Sequence, residues 1–132
     1  HPDVFYKALA HASWRPEEKR TKRLSWLGDA ILDGVVAEAL FNAHPDADEG
    51  QLTLRKVQLV NGLALADLLL HVGLHEYIQA ADDVKVHSNE KLKASVFEAF
   101  VAAIFINAGG GGAGYDAARK WITPLMHSCG NL

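Results

Sequence analysis

Lys22, Ser25, Asp29 and Asp33 follow one another at intervals of three, four and four residues. That spacing lines side chains along one side of an α-helix. Ser25 is the helical neighbour of Asp29, so a carboxylate is partnered by a hydroxyl, like half of an acidic pair. A second pair stands three apart: Ser95 and Glu98, in the otherwise apolar stretch "SVFEAFVAAIF". An isolated carboxylate is expensive to bury. Glu98 is therefore expected to have solvent access, to pair with an Arg or Lys, or to accept backbone hydrogen bonds.

The elements that position these residues are helical. The chain is rich in Ala and Leu and poor in strand-type alternation, which predicts an all-α fold. A first helix is expected over about 3–13, capped by Asp3, with Val4, Leu9 and Ala12 as apolar positions. The charged loop "WRPEEKRTKR" follows. A long helix is expected over about 21–42, its buried stripe marked by Leu24, Leu27, Ile31 and Val35. His44-Pro45 ends it, because proline disfavours helical geometry in the residue before it. Asp48 with Gln51 three residues later resembles a capping box that restarts a helix. Leu52, Leu59 and Leu63 supply its apolar face. "NGLALADLLLHVGL" continues helical, with Gly73 as its stop. "QAADDVKVHSN" reads as a polar connection. The next helix is expected over about 90–107, with Leu92, Val96, Phe100, Ala103 and Ile104 inward. "AGGGGAG" reads as a flexible break. A last helix over about 115–126 is expected to be interrupted near Thr123-Pro124.

At 132 residues with 49% apolar composition, the chain fits one globular domain with its own core. Its formal charge of -3 gives no global basic field to attract nucleic acid. A local patch, a metal or a partner must supply any such contact. Arg15, Lys19, Arg20, Lys22 and Arg23 form the one basic cluster, diluted by Glu17 and Glu18. Phosphate contacts from such side chains would be sequence-independent and salt-sensitive. The single Cys129 excludes an internal disulfide framework and suits a reducing compartment. It has no evident base and is read as inert. His71 and His75 are four apart without a third ligand, which reads as a chance pair. No apolar run is long enough for a membrane span. The chain opens on His1 rather than Met, as expected of a piece of a longer protein. The glycine run lacks the Lys-Ser/Thr of a phosphate loop.

Four motifs together carry a resemblance. "ALAHASW" resembles the opening helix of the ribonuclease III endonuclease domain. "KRLSWLGDAIL" resembles that family's signature Glu-Arg-Leu-Glu-Phe-Leu-Gly-Asp-Ala-Val-Leu. "DEGQLTLRKVQLVNGLALADL" and "LKASVFEAFVAAIFINAGG" resemble its next two segments, in the same order. The resemblance implies the family's dimerising helical fold across 1–132, with no double-stranded-RNA-binding domain within the chain. It implies cleavage of double-stranded RNA with a divalent ion, Mg²⁺ or Mn²⁺. The family's four metal-binding acids fall on Ser25, Asp29, Ser95 and Glu98, so two carboxylates remain as metal ligands and two have become serines. The acid opening the signature is Lys22. The Glu of Glu-Gly is kept as Glu49, a further catalytic remnant. The family's aromatic knob at the dimer interface falls on Trp26, whose other reading is an ordinary core Trp.

Two serines change the chemistry. A hydroxyl supplies neither the charge nor the ligand strength that a dication needs. Lys22 adds a nearby positive charge. Conversely, like charges about 4 Å apart repel by roughly 4 kcal/mol at an effective dielectric of 20, so the exchange relaxes the metal-free form. Asp33 lies one turn too far along to substitute readily. The expectation is therefore a catalytically degenerate domain without a cofactor. It would be a dimerisation and RNA-associating subunit of an RNA-processing or ribosomal complex, paired with itself or with another ribonuclease III-type domain. Its location would be intracellular and, by analogy with degenerate family members, mitochondrial. One alternative is an active endonuclease using Asp29, Glu98 and Glu49 with a reduced metal site. The other is a helical protein-interaction module without RNA contact.

Overall fold

The computed structural model describes residues 4, 5, 8, 9, 18–78 and 89–129, without the side chains of Glu18 and Lys19. The expected Asp3 cap, Ala12, the loop bearing Arg15 and the connection at 79–88 lie outside the described residues. From Glu18 on, the described residues form five α-helices in order: α1 (Glu18–Ala43), α2 (Glu49–Val60), α3 (Gly62–His71), α4 (Glu90–Asn107) and α5 (Gly111–Cys129). A short 3-10 turn, Leu74–Tyr77, follows α3. No strand occurs among the described residues, so the all-α expectation holds.

α4 is the centre. Leu92, Val96, Phe97, Ala99, Val101, Ala102 and Ala103 are all buried, on every side of the helix. Such all-round burial marks a helix surrounded by others. α1 packs along it with Leu24, Ile31, Leu32, Val35, Val36 and Leu40 buried. Leu27 is only half-buried. α3 and α5 close the remaining sides through Leu65, Leu68, Leu69, Ile122 and Met126. The helical residues Val4, Phe5 and Ala8, within the first helix expected from the sequence, join a second, smaller cluster, where Phe5 meets Phe100 at a ring-centroid distance of 5.3 Å.

Local chemistry explains the boundaries. The Asp48 carboxylate accepts from the Gln51 N–H at 2.8 Å, and the Asp48 N–H donates to Gln51 Oε1 at 2.9 Å. That is the expected capping box. Gly73 ends α3 with φ 78, a conformation glycine adopts without steric cost.

Three expectations fail. The segment after α2 does not continue the helix. Asn61 is extended and serves both ends, donating to the Val57 carbonyl and accepting from the Ala64 N–H, each at 2.9 Å. The resulting break turns Leu63 outward, 55% exposed, instead of onto the core. The glycine run is mostly helical. Only Ala108–Gly110 turns, and α5 begins at Gly111. A Cβ on Gly114 would lie 2.5 Å from the Phe105 carbonyl oxygen, so this glycine lets α5 press against the end of α4. Finally, α5 runs unbroken through Pro124. The carbonyl that loses its partner belongs to Lys120, and both residues are exposed, so water can serve it.

Candidate active site

The site candidates sit where α1 crosses α4. At the crossing is Gly28, buried in the middle of α1. A Cβ there would lie 1.6 Å from the Glu98 carbonyl oxygen, so the two backbones touch. A mid-helix glycine costs about 1 kcal/mol relative to Ala, and this contact is its reason. The glycine brings Ser25, one turn before it, and Asp29, next to it, up against α4.

On one side, Ser25 Oγ donates to the Ser95 carbonyl at 2.8 Å and lies 2.9 Å from Ser95 Oγ. A hydroxyl has one proton to give. With Ser25 donating to the carbonyl, the Ser95 hydroxyl donates to Ser25 Oγ. Both hydroxyl protons are thus used within the protein.

On the other side, Glu98 hydrogen-bonds Asp29. Glu98 is half-buried and so keeps the solvent access that was one expectation for it, but its neighbour is an acid rather than a cation. Burial, then the hydrogen bond to Asp29, then the charges of Asp29 and Asp33, push the Glu98 carboxyl up from its ordinary 4.5 to about 8. At neutral pH Glu98 therefore favours its protonated form. Next along α1, Asp33 is raised by burial and by the Asp29 charge, and is partly offset by Lys56. Lys56 Nζ stands 3.9 Å from Asp33 Oδ2.

The sign of the linkage is definite. Glu98 has a folded-state value above its unfolded one, so the folded protein binds the extra proton between roughly pH 4.5 and 8. Its stabilising contribution is complete below about 4.5 and is lost as pH rises through about 8. The site is partly solvent-screened, so the expected loss is about 2 kcal/mol rather than the full value of the shift. Urea denaturation at about pH 6 and pH 9 will show this loss, and Glu98→Gln will flatten it. An unchanged slope in the variant would assign the pH dependence to another group.

The other expected residues divide. Glu49 opens α2 and is exposed. Lys56, the residue α2 delivers to the acidic face, is seven residues and about 10 Å further along the helix. Trp26 is 78% exposed, which removes the core reading. Trp26, Ala30, Ala37 and Phe41 recur at helical spacing on the outer side of α1, all exposed. Leu54 and Val57 add exposed apolar surface on α2. Arg20, Lys22 and Arg23 are exposed on the first turns of α1, and Arg20 and Lys22 engage other groups. Arg15 and the Lys19 side chain fall outside the described residues.

A divalent ion is a poor fit here. Mg²⁺ asks for about six hard oxygens, anchored by at least one or two ionised carboxylates. The crossing offers the two carboxyls of Asp29 and Glu98, and two hydroxyls turned toward each other. Among the described residues, no group of three or more His, Cys, Asp or Glu could hold a metal ion.

This arrangement of helices has known counterparts. The structure matches the nuclease domain of ribonuclease III from Campylobacter jejuni with a TM-score of 0.85 at 26% identity, covering 97% of this chain and 87% of that one. A Dicer from Pichia stipitis shares the fold, at a TM-score of 0.68 and 22% identity, over 96% of this chain and 56% of that one. The sequence profile of the Ribonuclease III domain matches residues 22–109. The chain belongs to the ribonuclease III domain family. Among curated relatives, "Ribonuclease 3" of Mesorhizobium japonicum is 39% identical over 121 residues, 88% of this chain and 52% of the relative. "Ribonuclease 3" of Francisella philomiragia is 41% identical over 106 residues, 80% of this chain and 45% of the relative. The chain thus spans about half the length of these relatives.

Two residues that shape the site were absent from the sequence expectations. Gly28 carried a signal, because a glycine inside a strong helical pattern asks for a close contact. Lys56 carried a weaker one: seven residues from Glu49, it lies on the same side of α2.

Proposed function

We propose that this chain is a ribonuclease III domain, acting as one unit over 1–132, that has given up cleavage and kept association. It serves as a dimerisation and RNA-associating subunit of an RNA-processing or ribosomal assembly, inside the cell and in an organelle such as the mitochondrion. The observation that carries this reading is the Ser25–Ser95 hydrogen-bond pair. Where the resemblance places two acids, two neutral groups satisfy each other. Such a pair leaves little charge to hold a dication or to balance a pentavalent phosphorus transition state. Exposed Trp26 supports the association half of the proposal. A large aromatic exposed on a helix is a typical interface anchor, and one Campylobacter neighbour is described by its region involved in dimer formation.

The second reading, an active double-stranded-RNA endonuclease using Mg²⁺ or Mn²⁺, draws on the surviving adjacency of Asp29 and Glu98 and on the relatives named Ribonuclease 3. One assay separates the two. Long duplex RNA is incubated with the intact chain and either metal, beside Asp29→Asn/Glu98→Gln. The expected result is no metal-dependent cleavage by either protein, with retention of the duplex that falls steeply as salt rises. Cleavage by the unaltered chain alone would establish the active reading. No retention of the duplex at any salt concentration would leave only a protein-interaction role.

A further inference from the structure

Outside the α1–α4 crossing, a cavity of about 250 Å³ lies where α2, α3 and α5 meet. None of the site residues lines it. Its floor is apolar: Leu59, Leu68 and Met126, each at most 6% exposed. Its rim carries a guanidinium from α2, Arg55, and a carboxylate from α3, Asp67. Neither charge is in an ion pair among the described residues, with each other or with any other group. Two opposite charges thus face one cavity, and neither is neutralised by another described residue.

We infer that this cavity binds a small zwitterion with an apolar body, of the class of an aliphatic α-amino acid. The Arg55 fork suits a carboxylate, which it can hold in two parallel hydrogen bonds. Asp67 beside it repels a simple anion, unless the ligand also offers an ammonium group. The floor offers a compact hydrocarbon group burial away from water. At about 250 Å³ the cavity lies just below the usual size of ligand pockets, about 300 to 1,000 Å³, which selects a small ligand.

The test uses the intact chain and radiolabelled L-leucine in equilibrium dialysis. Isovalerate, which lacks the ammonium, and isoamylamine, which lacks the carboxylate, act as competitors. Leucine is expected to bind saturably. Each one-charge analogue should compete at least about tenfold less well than unlabelled leucine. Arg55→Met and Asp67→Asn lie on the exposed rim and should keep the parent's helical circular dichroism. Each should weaken leucine at least about tenfold. The inference is overturned if no saturable binding occurs up to roughly 20 mM leucine, if either analogue competes as well as leucine, or if both folded variants bind like the parent.

Discussion

Replacing Gly28 with Ala is expected to destabilise the protein by more than about 3 kcal/mol, at the upper end of overpacking costs. The added methyl has nowhere to go. It would sit 1.6 Å from the Glu98 carbonyl oxygen and 2.5 Å from the carbonyl carbon, both backbone atoms. No rotamer change can relieve a clash between a Cβ and a neighbouring main chain. The helices must separate at the centre of the core. Gly34, six residues along α1, provides the control. A Cβ there would meet only the Tyr115 ring, at 3.7 Å, an ordinary contact. Gly34→Ala should therefore gain up to about 1 kcal/mol from helix propensity. Thermal melts should then move in opposite directions: down by roughly 10 °C or more for Gly28→Ala, and slightly up for Gly34→Ala. If the two variants melt alike, the close crossing of α1 and α4 is not what holds the site together.

The contrast shows why some of this structure was legible in the sequence and some was not. Elements bounded by their own local chemistry were readable. The α4 bounds at Glu90 and Asn107 and the Asp48 capping box match expectation. Each depends on residues within a few positions of one another. The misses depend on contacts that sequence spacing does not encode. Asn61 looked like one more polar residue in a helical run, yet its side chain closes one helix and opens the next. The glycines after Asn107 looked flexible, but Gly114 is held by its contact with Phe105. At the site, the family resemblance identified Ser25 and Ser95 as related positions. Helix spacing alone could not have joined residues 70 apart in sequence. It also could not show that Glu98 would be partnered by Asp29 rather than by a cation. That pairing follows from the α1–α4 crossing, which Gly28 sets.

Restoring the two acids is the second large effect. Ser25→Glu with Ser95→Asp removes the Ser25–Ser95 hydrogen bonds and places two more carboxylates beside Asp29 and Glu98. Each like-charged pair near 4 Å costs roughly 4 kcal/mol at an effective dielectric of 20. Proton uptake by the cluster will recover part of that. Without metal, the double variant should melt on the order of 10 °C below the parent. The deficit should widen as pH rises and those protons leave. With Mg²⁺ or Mn²⁺ at about a hundred times the dissociation constant, binding to the folded state should return about 2.7 kcal/mol. The parent should gain little, because Asp29 and Glu98 alone offer a dication too few charged ligands. Stability is the right readout, because it reports ion binding whether or not chemistry follows. A double variant whose melt ignores both metals would show that Ser25 and Ser95 do not occupy the family's acid positions. A parent that already gains as much from Mg²⁺ as the variant would show that Asp29 and Glu98 suffice to hold the ion. The proposal that cleavage has been lost would then have to rest on something other than charge.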